Sequence, residues 1–248
     1  MRALIVTAVT AEADSVVRGL SGPVPHPDHT PGPDHAPGSE PPRTLPGGYL
    51  IHRRGAFDVL VAGVGPAAAA AGTATALALA AAPGYGLVVS AGIGGGFAPA
   101  APIGSLVVAD AIVAADLGAE TPQGFLTVTE LGFGRSVHLP PAELAARAAE
   151  ATGALLAPVL TVSTVTGTAA RTAALAARHP LAGAEAMEGF GVAEAAAAHG
   201  LPVLEVRAVS NAVGPRDRDA WRIGEALTAL AGGFRALRPV LASWGGPS

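Results

Sequence analysis

Neither cysteine nor lysine occurs anywhere in this chain of 248 residues. The first absence removes disulfide frameworks, thiol nucleophiles and cysteine-ligated metals, and it fits a reducing cytoplasm, which is the expected location. The second removes Schiff-base chemistry and the lysine of a phosphate-binding P-loop, because all 15 basic residues are arginines. Charge of either sign is scarce. Only 14% of residues are charged and the net charge is −4, so no basic surface is offered to nucleic acid or to an anionic membrane. A small-molecule partner is expected instead, with neither nucleic acid nor membrane involved. Half of the residues are hydrophobic, enough for a substantial core, and the length fits one large α/β domain or two small ones, with nothing forcing a second.

Two apolar segments imitate membrane or export signals. The start, "MRALIVTAVTAEAD", has one arginine, a short apolar run and small residues, but "ALIVTAV" reads as a buried first strand ending in a polar turn. Residues 59–109 contain no charged side chain, which on length alone would admit a membrane span. Gly63, Gly65, Pro66, Pro83, Gly84, Gly86, Gly92 and Gly94 to Gly96 cut that run into pieces of the size found in a parallel sheet buried on both faces.

The periodicity predicts strands at 2–9, 57–62, 86–91, 103–109 with a partner at 112–115, 158–163 and 202–209. Helices are predicted at 10–20, 66–82, 141–152, 168–178, 189–199 and 219–237. Alternating strands and helices imply a mainly parallel, helix-covered sheet. Ligands in such sheets sit at the carboxyl ends of strands, where "VTAVTAE", "VSAGIGGGF", "VSTVTGT" and "VRAVSNAVG" fall. Residues 22–48, dominated by proline and glycine, read as an extended or disordered surface insertion. Its His26, Asp28, His29, Asp34 and His35 match no established metal spacing, so no metal site is expected.

"FDVLVAGVGPAAAAAG" places Gly63, Gly65 and Ala68 in a G-x-G-x-x-G/A pattern between strand and helix. A dinucleotide site also needs an acidic residue about 20 positions on. The charge-free run continues to Asp110, so that reading fails. Gly92, Gly94 and Gly95, with Ile93 between them, would let the backbone approach a ligand and turn N–H groups toward it. Met187 and Glu188 precede an alanine-rich helix, where a carboxylate complements the positive end of the dipole and a methionine fills core; a catalytic role is the alternative.

In order and spacing, these pieces resemble the nucleoside phosphorylase and nucleosidase superfamily, and within it the purine nucleosidases that cleave methylthioadenosine or futalosine. The resemblance rests on "MRALIVTAVTAEAD", "GVG", "GIGGGFAPAAPIGSLVVAD", "AMEGFGVA" and "VRAVSNAVG", and covers nearly the whole chain outside 22–48. It implies a single nucleosidase domain over 1–248 with a three-layer α/β fold, a central mixed, mostly parallel sheet flanked by helices. It places the water-activating carboxylate at Glu12 and the ribose-binding pair at Met187 and Glu188. Gly92, Ile93, Gly94, Gly95, Thr166, Gly167 and Thr168 become further substrate contacts. A homo-oligomer is implied, and no metal or organic cofactor.

Two departures narrow the activity. Asn211 stands where adenosine-type relatives carry aspartate. An amide offers donor and acceptor together, so it suits N7 and the exocyclic oxygen of a 6-oxopurine and favours hypoxanthine, hence futalosine, over adenine. A turn asparagine in "SNAVGP" is the structural alternative. Ile93 stands where relatives carry a serine, and the glycine segments hold no cation, which favours hydrolysis over phosphorolysis; Arg53 and Arg54 are the cations left to reach the site from the preceding segment. The aromatic carboxylate of futalosine calls for a cation, with Arg135, Arg171 and Arg216 as candidates, and the loop 116–125 could cover the ribose. The rivals are a purine nucleoside phosphorylase, a methylthioadenosine nucleosidase and a non-catalytic nucleoside- or dinucleotide-binding module.

Overall fold

A computed structural model describes residues 1–21, 41–82 and 84–246. The elements begin with β1 (Ala3–Thr7), α1 (Thr10–Leu20), β2 (Arg43–Thr44), a 3-10 turn (Pro46–Gly48), β3 (Leu50–Arg54), β4 (Phe57–Val61) and α2 (Pro66–Ala78). They continue with β5 (Leu87–Gly96), β6 (Leu106–Ala114), β7 (Gly118–Thr121), β8 (Gly124–Thr127), β9 (Val137–His138) and α3 (Ala142–Thr152). The last are β10 (Leu155–Thr161), α4 (Ala169–Arg178), β11 (Ala184–Ala186), α5 (Gly189–Ala198), β12 (Val203–Ala212) and α6 (Ile223–Ser243).

Ten strands form one mixed sheet in the order β11-β10-β6-β12-β5-β1-β4-β3-β2, with β9 attached to β6. The central pairings β4–β1, β1–β5, β5–β12, β6–β10 and β10–β11 are parallel. Strand β11 also pairs antiparallel with β5, so that β11, β10, β6, β12 and β5 close into a ring. Side chains alternate along each strand. Ile5, Val59, Val89 and Leu204 therefore pack under α1, α3 and α6, against Val16, Leu144, Leu230 and Phe234. Their neighbours Leu4, Leu60, Val88 and Val203 pack under α2 and α5, against Ala69, Ala76, Phe190 and Val192. Both faces of the sheet are thus covered, which is why the strands read as continuous apolar runs. The charge-free run 59–109 resolves into the end of β4, α2, β5 and the first part of β6, and no helix among the described residues is long and apolar enough to cross a membrane.

Several boundaries differ from the sequence expectation. Residues 106–114 form one long strand rather than a pair, the glycine-rich stretch 92–96 is the second half of β5 rather than lying past its end, and α2 stops at Ala78. Helix α6 starts at Ile223 and runs past Pro239 to Ser243. The loop 116–125 is largely the β7–β8 hairpin. Of the segment 22–48, residues 22–40 and their histidines and aspartates lie outside the described residues. Its end is ordered after all: Arg43 and Thr44 pair with β3, and Leu45 is buried. An apolar side chain flanked by prolines had been hidden by the surrounding composition.

Candidate active site

The carboxyl end of β1 turns at Ala8–Val9 into α1, and this turn places Glu12. It lies in the first turn of the helix, where the free N–H groups and the dipole favour a carboxylate. Its Oε2 accepts hydrogen bonds from the Ala8 N–H (2.9 Å) and Val9 N–H (3.3 Å), and its Oε1 accepts from the Ile93 N–H (2.9 Å) on β5. The side chain is 4% exposed. Burial pushes its pKa above the ordinary carboxylate value; the nearby Arg207 charge and the Ile93 N–H oppose that, and Glu188 adds to it.

Glu188 sits at the junction of β11 and α5. Its Oε1 accepts from the Gly65 N–H (3.2 Å) and its Oε2 from the Met187 N–H (3.3 Å) and from Arg207 Nη1 (3.1 Å). Gly65 makes the first of these contacts from a backbone with φ +92°, a conformation glycine adopts without strain, and Pro66 then starts α2. The guanidinium of Arg207, 1% exposed on β12, ties the site together. Nε donates to Glu205 Oε1 (2.9 Å), Nη2 to Ser90 Oγ (2.9 Å) and Nη1 to Glu188. A Cβ on Gly92 would lie 2.6 Å from both Glu12 Oε1 and Arg207 Nη1, so the bare glycine leaves room for the carboxylate and the guanidinium on either side of it.

Farther along β5 and β12, Asn211 pairs with Gly95. Three residues of strand separate Gly95 from Gly92, about 10 Å. Asn211 Oδ1 accepts from Ser210 Oγ (2.8 Å) and its Nδ2 donates to the Ala212 carbonyl (3.0 Å). A pocket beside it is lined by Thr166, Gly167, Asn211, Arg216 and Trp221, with the Arg216 guanidinium 5.5 Å from the centre of the Trp221 ring. Thr166 is held there by Glu185, whose carboxylate accepts from the Thr166 N–H (2.8 Å) and hydroxyl (2.5 Å).

The structure therefore brings Glu12, Gly92, Ile93 and Glu188 around Arg207, with Met187 half-buried beside Glu188, and it gathers Asn211, Thr166, Gly167 and Arg216 at the adjacent pocket. Gly94 and Gly95 serve close packing within the sheet: a Cβ on Gly94 would meet the Glu185 carbonyl at 2.7 Å, and one on Gly95 the Val213 side chain at 2.9 Å. The Thr168 hydroxyl caps α4, accepting from the Arg171 N–H (3.2 Å). Arg135 faces Glu194 on α5 and Arg171 faces Asp116, so of the three arginines considered only Arg216 lines the pocket. Arg53 and Arg54 lie at the far end of the parallel strands, Arg53 facing Asp58 at the start of β4; they do not reach the site. Among the described residues no three His, Asp or Glu side chains are grouped to hold a metal ion.

Sequence reasoning missed Arg207, Glu205, Ser90 and Glu185. "LEVRAV" did hold a signal: two opposite charges two residues apart share one face of a strand that is otherwise apolar. An isolated charge inside a buried strand needs a partner, and Glu205 and Arg207 are each other's.

Residues 51–236 match the model of the phosphorylase superfamily. The chain is 63% identical, over 98% of both chains, to a futalosine hydrolase of Streptomyces coelicolor. It is 46% identical to a futalosine hydrolase of Acidothermus cellulolyticus, over 96% of this chain and 90% of that one. Its fold is similar to that of the futalosine hydrolase of Helicobacter pylori, with a TM-score of 0.76 at 17% identity over 98% of both chains.

Proposed function

The chain belongs to the phosphorylase superfamily and, within it, to the futalosine hydrolases, and on that footing we propose how its site works. The substrate is futalosine, and water replaces the purine at the anomeric carbon, giving hypoxanthine and dehypoxanthine futalosine. Breaking the N-ribosidic bond leaves an oxocarbenium-like sugar. Glu12 takes a proton from the attacking water, a task helped by burial that keeps its carboxylate basic. Glu188 accepts hydrogen bonds from the ribose hydroxyls and sets negative charge beside the cationic sugar, with Met187 against the sugar's apolar face. Asn211 addresses N7 and O6 of the departing purine in the pocket with Thr166, Gly167 and Arg216; as an amide it supplies no proton, so the base takes its proton from solvent or another group. Gly92, Ile93, Gly94 and Gly95 form the strand along which ribose and base lie. Arg216 is the candidate partner for the aromatic carboxylate.

The observation that carries this reading is the Glu12–Arg207–Glu188 cluster, with Asn211 about a nucleoside's length away along the same pair of strands. The same cluster favours water over phosphate. Its one guanidinium is engaged by Glu188, Glu205 and Ser90, and the carboxylates would repel a phosphate dianion.

No metal or organic cofactor enters the reaction, and a cysteine-free chain suits the cytoplasm in which this reading places it. Phe133 (81% exposed) and Leu139 (74%), with Leu117 and Val137, present apolar surface around the β7–β8 hairpin and β9, which supports a homo-oligomer built on that face. Light scattering measures the assembly.

The deciding assay incubates the protein with futalosine, inosine and methylthioadenosine, each with and without phosphate, and identifies the released base by chromatography. Hypoxanthine from futalosine in phosphate-free buffer is expected. Strict dependence on phosphate, preferential release of adenine, or no release at all would each reject the reading in favour of one of its three rivals.

A further inference from the structure

Glu205 is completely buried, and nothing in the reaction as written uses it. It stands two residues before Arg207 on β12, so both side chains leave the same face of the strand, and its Oε1 holds Arg207 Nε at 2.9 Å. Its Oε2 has no hydrogen-bond partner among the described residues. Both carboxylate oxygens press instead on Gly189, the first residue of α5 and the neighbour of Glu188: a Cβ there would lie 2.2 Å from Oε2 and 2.3 Å from Oε1. Glu205 thus touches both the guanidinium that holds Glu188 and acts through its charge on Glu12, and the backbone next to Glu188. A buried acid with one orphaned oxygen is costly, and an apolar strand residue would avoid that cost.

Resting on the hydrolase reading above, we propose that Glu205 is a positioning residue for hydrolysis: it fixes the guanidinium plane of Arg207 and takes up part of its charge, so that Arg207 can orient Glu188 and stand beside Glu12 without making Glu12 too weak a base. The charged groups facing Glu12 are Arg207 from β12 and Glu188 from the start of α5, with the N–H groups of Ala8, Val9 and Ile93 completing its surroundings. Burial pushes the pKa of Glu205 above the ordinary carboxylate value; the charge of Arg207 and its hydrogen bond oppose that and favour the ionised form, and Glu188 adds to the rise. With Arg207 shared among carboxylates, its pull on the Glu12 proton equilibrium is diluted. With Glu205 neutral, that pull falls on Glu12 and Glu188 alone.

Two substitutions separate charge from contact. Glu205→Gln keeps an acceptor for Arg207 Nε and removes the charge. The acid limb of kcat/KM should move about half a pH unit lower, and plateau kcat should fall by no more than about threefold as the base weakens, with KM within about threefold. Glu205→Asp keeps the charge but cannot span the 2.9 Å contact from the same backbone. The acid limb should stay in place while kcat falls about tenfold through the loosened guanidinium. Gly189→Ala, which forces the Glu205 carboxylate aside, should reproduce the Asp variant's loss and add little to it in the double variant.

The variants are compared at matched folded fraction, measured by circular dichroism. An acid limb unmoved in the Gln variant, or kcat within about twofold of wild type in the Asp variant, overturns the role of Glu205 while leaving the hydrolase reading intact. A wild type that releases no hypoxanthine from futalosine overturns both.

Discussion

Replacing Glu12 with glutamine changes one oxygen to an NH2 and leaves the shape almost untouched. In the wild type Oε1 faces the Ile93 N–H and Oε2 faces the N–H groups of Ala8 and Val9. An amide presents only one oxygen, so its NH2 must confront a donor on one side or the other, losing a charge-assisted hydrogen bond worth about 1.5–3 kcal/mol. The neutral group also escapes the burial penalty, and the two effects on stability oppose each other. The effect on catalysis has no such offset. General-base assistance contributes roughly 10²–10⁴ in rate, about 3–5 kcal/mol of barrier, and glutamine supplies none of it. Hypoxanthine release from futalosine should fall by about that factor at neutral pH, with KM changed far less because Glu188 and the Asn211 pocket are intact.

The pH dependence supplies an independent check. Glu12 works only when ionised, so wild-type kcat/KM falls as pH drops through its raised pKa, and the residual activity of the variant should lack that limb. For folding the sign is reversed relative to a typical paired acid. Between the ordinary 4.5 and the raised value the folded state holds the Glu12 proton more tightly than the unfolded chain, so this group's contribution to stability declines as pH rises across that window. Urea melts of the variant over the same window should show a flatter dependence. A glutamine variant that keeps kcat within about tenfold of wild type, with the acid limb intact, refutes the assignment of Glu12 as base.

Removing the charge of Arg207 with methionine leaves Glu205 and Glu188 buried without their cation, and should cost about 3–5 kcal/mol of stability in urea unfolding together with loss of purine release. Gly92→Ala puts a methyl 2.6 Å from Glu12 Oε1 and Arg207 Nη1; about 1–3 kcal/mol of strain and a loss of roughly 100-fold in kcat are expected, and an unaltered rate would show that the placement of the two groups beside Gly92 does not matter. Asn211→Asp replaces the donor facing the base with acceptors only. Chromatography of released bases should show futalosine cleavage reduced by about 10–100-fold and the preference shifted toward methylthioadenosine, whereas an unchanged ratio removes Asn211 from specificity.

Glu12, Met187, Glu188 and Asn211 are reached in the sequence through the family resemblance; taken alone, Met187 and Glu188 read as a helix terminus and Asn211 as a turn asparagine. The layered sheet was legible directly: strands buried on both faces leave runs without charge, and 59–109 is such a run. Strand β11 was not, being three residues long and stabilised by pairing with β10 and β5 rather than by its own pattern. The predicted strand 86–91 stops short of Gly92 to Gly96, where glycine weakens the strand pattern. Only the neighbours that press on them, Glu12, Arg207, the Glu185 carbonyl and Val213, explain why side chains are missing from that stretch of sheet.

By itself the sequence determined the alternation of apolar strands with alanine-rich helices, the scarcity of charge that makes each remaining carboxylate conspicuous, and the absence of thiol and amine nucleophiles. Tertiary structure alone decided which charges meet. Glu12, Glu188, Glu205 and Arg207 are spread over nearly the whole chain, and only the neighbouring places of β1, β5 and β12 in the sheet, with the amino-terminal ends of α1 and α5 at the strand ends, bring them to one guanidinium. Local pattern fixes which face of an element is buried, but the partner across a sheet depends on strand order. That order is set by contacts between residues remote in sequence, which no local periodicity records.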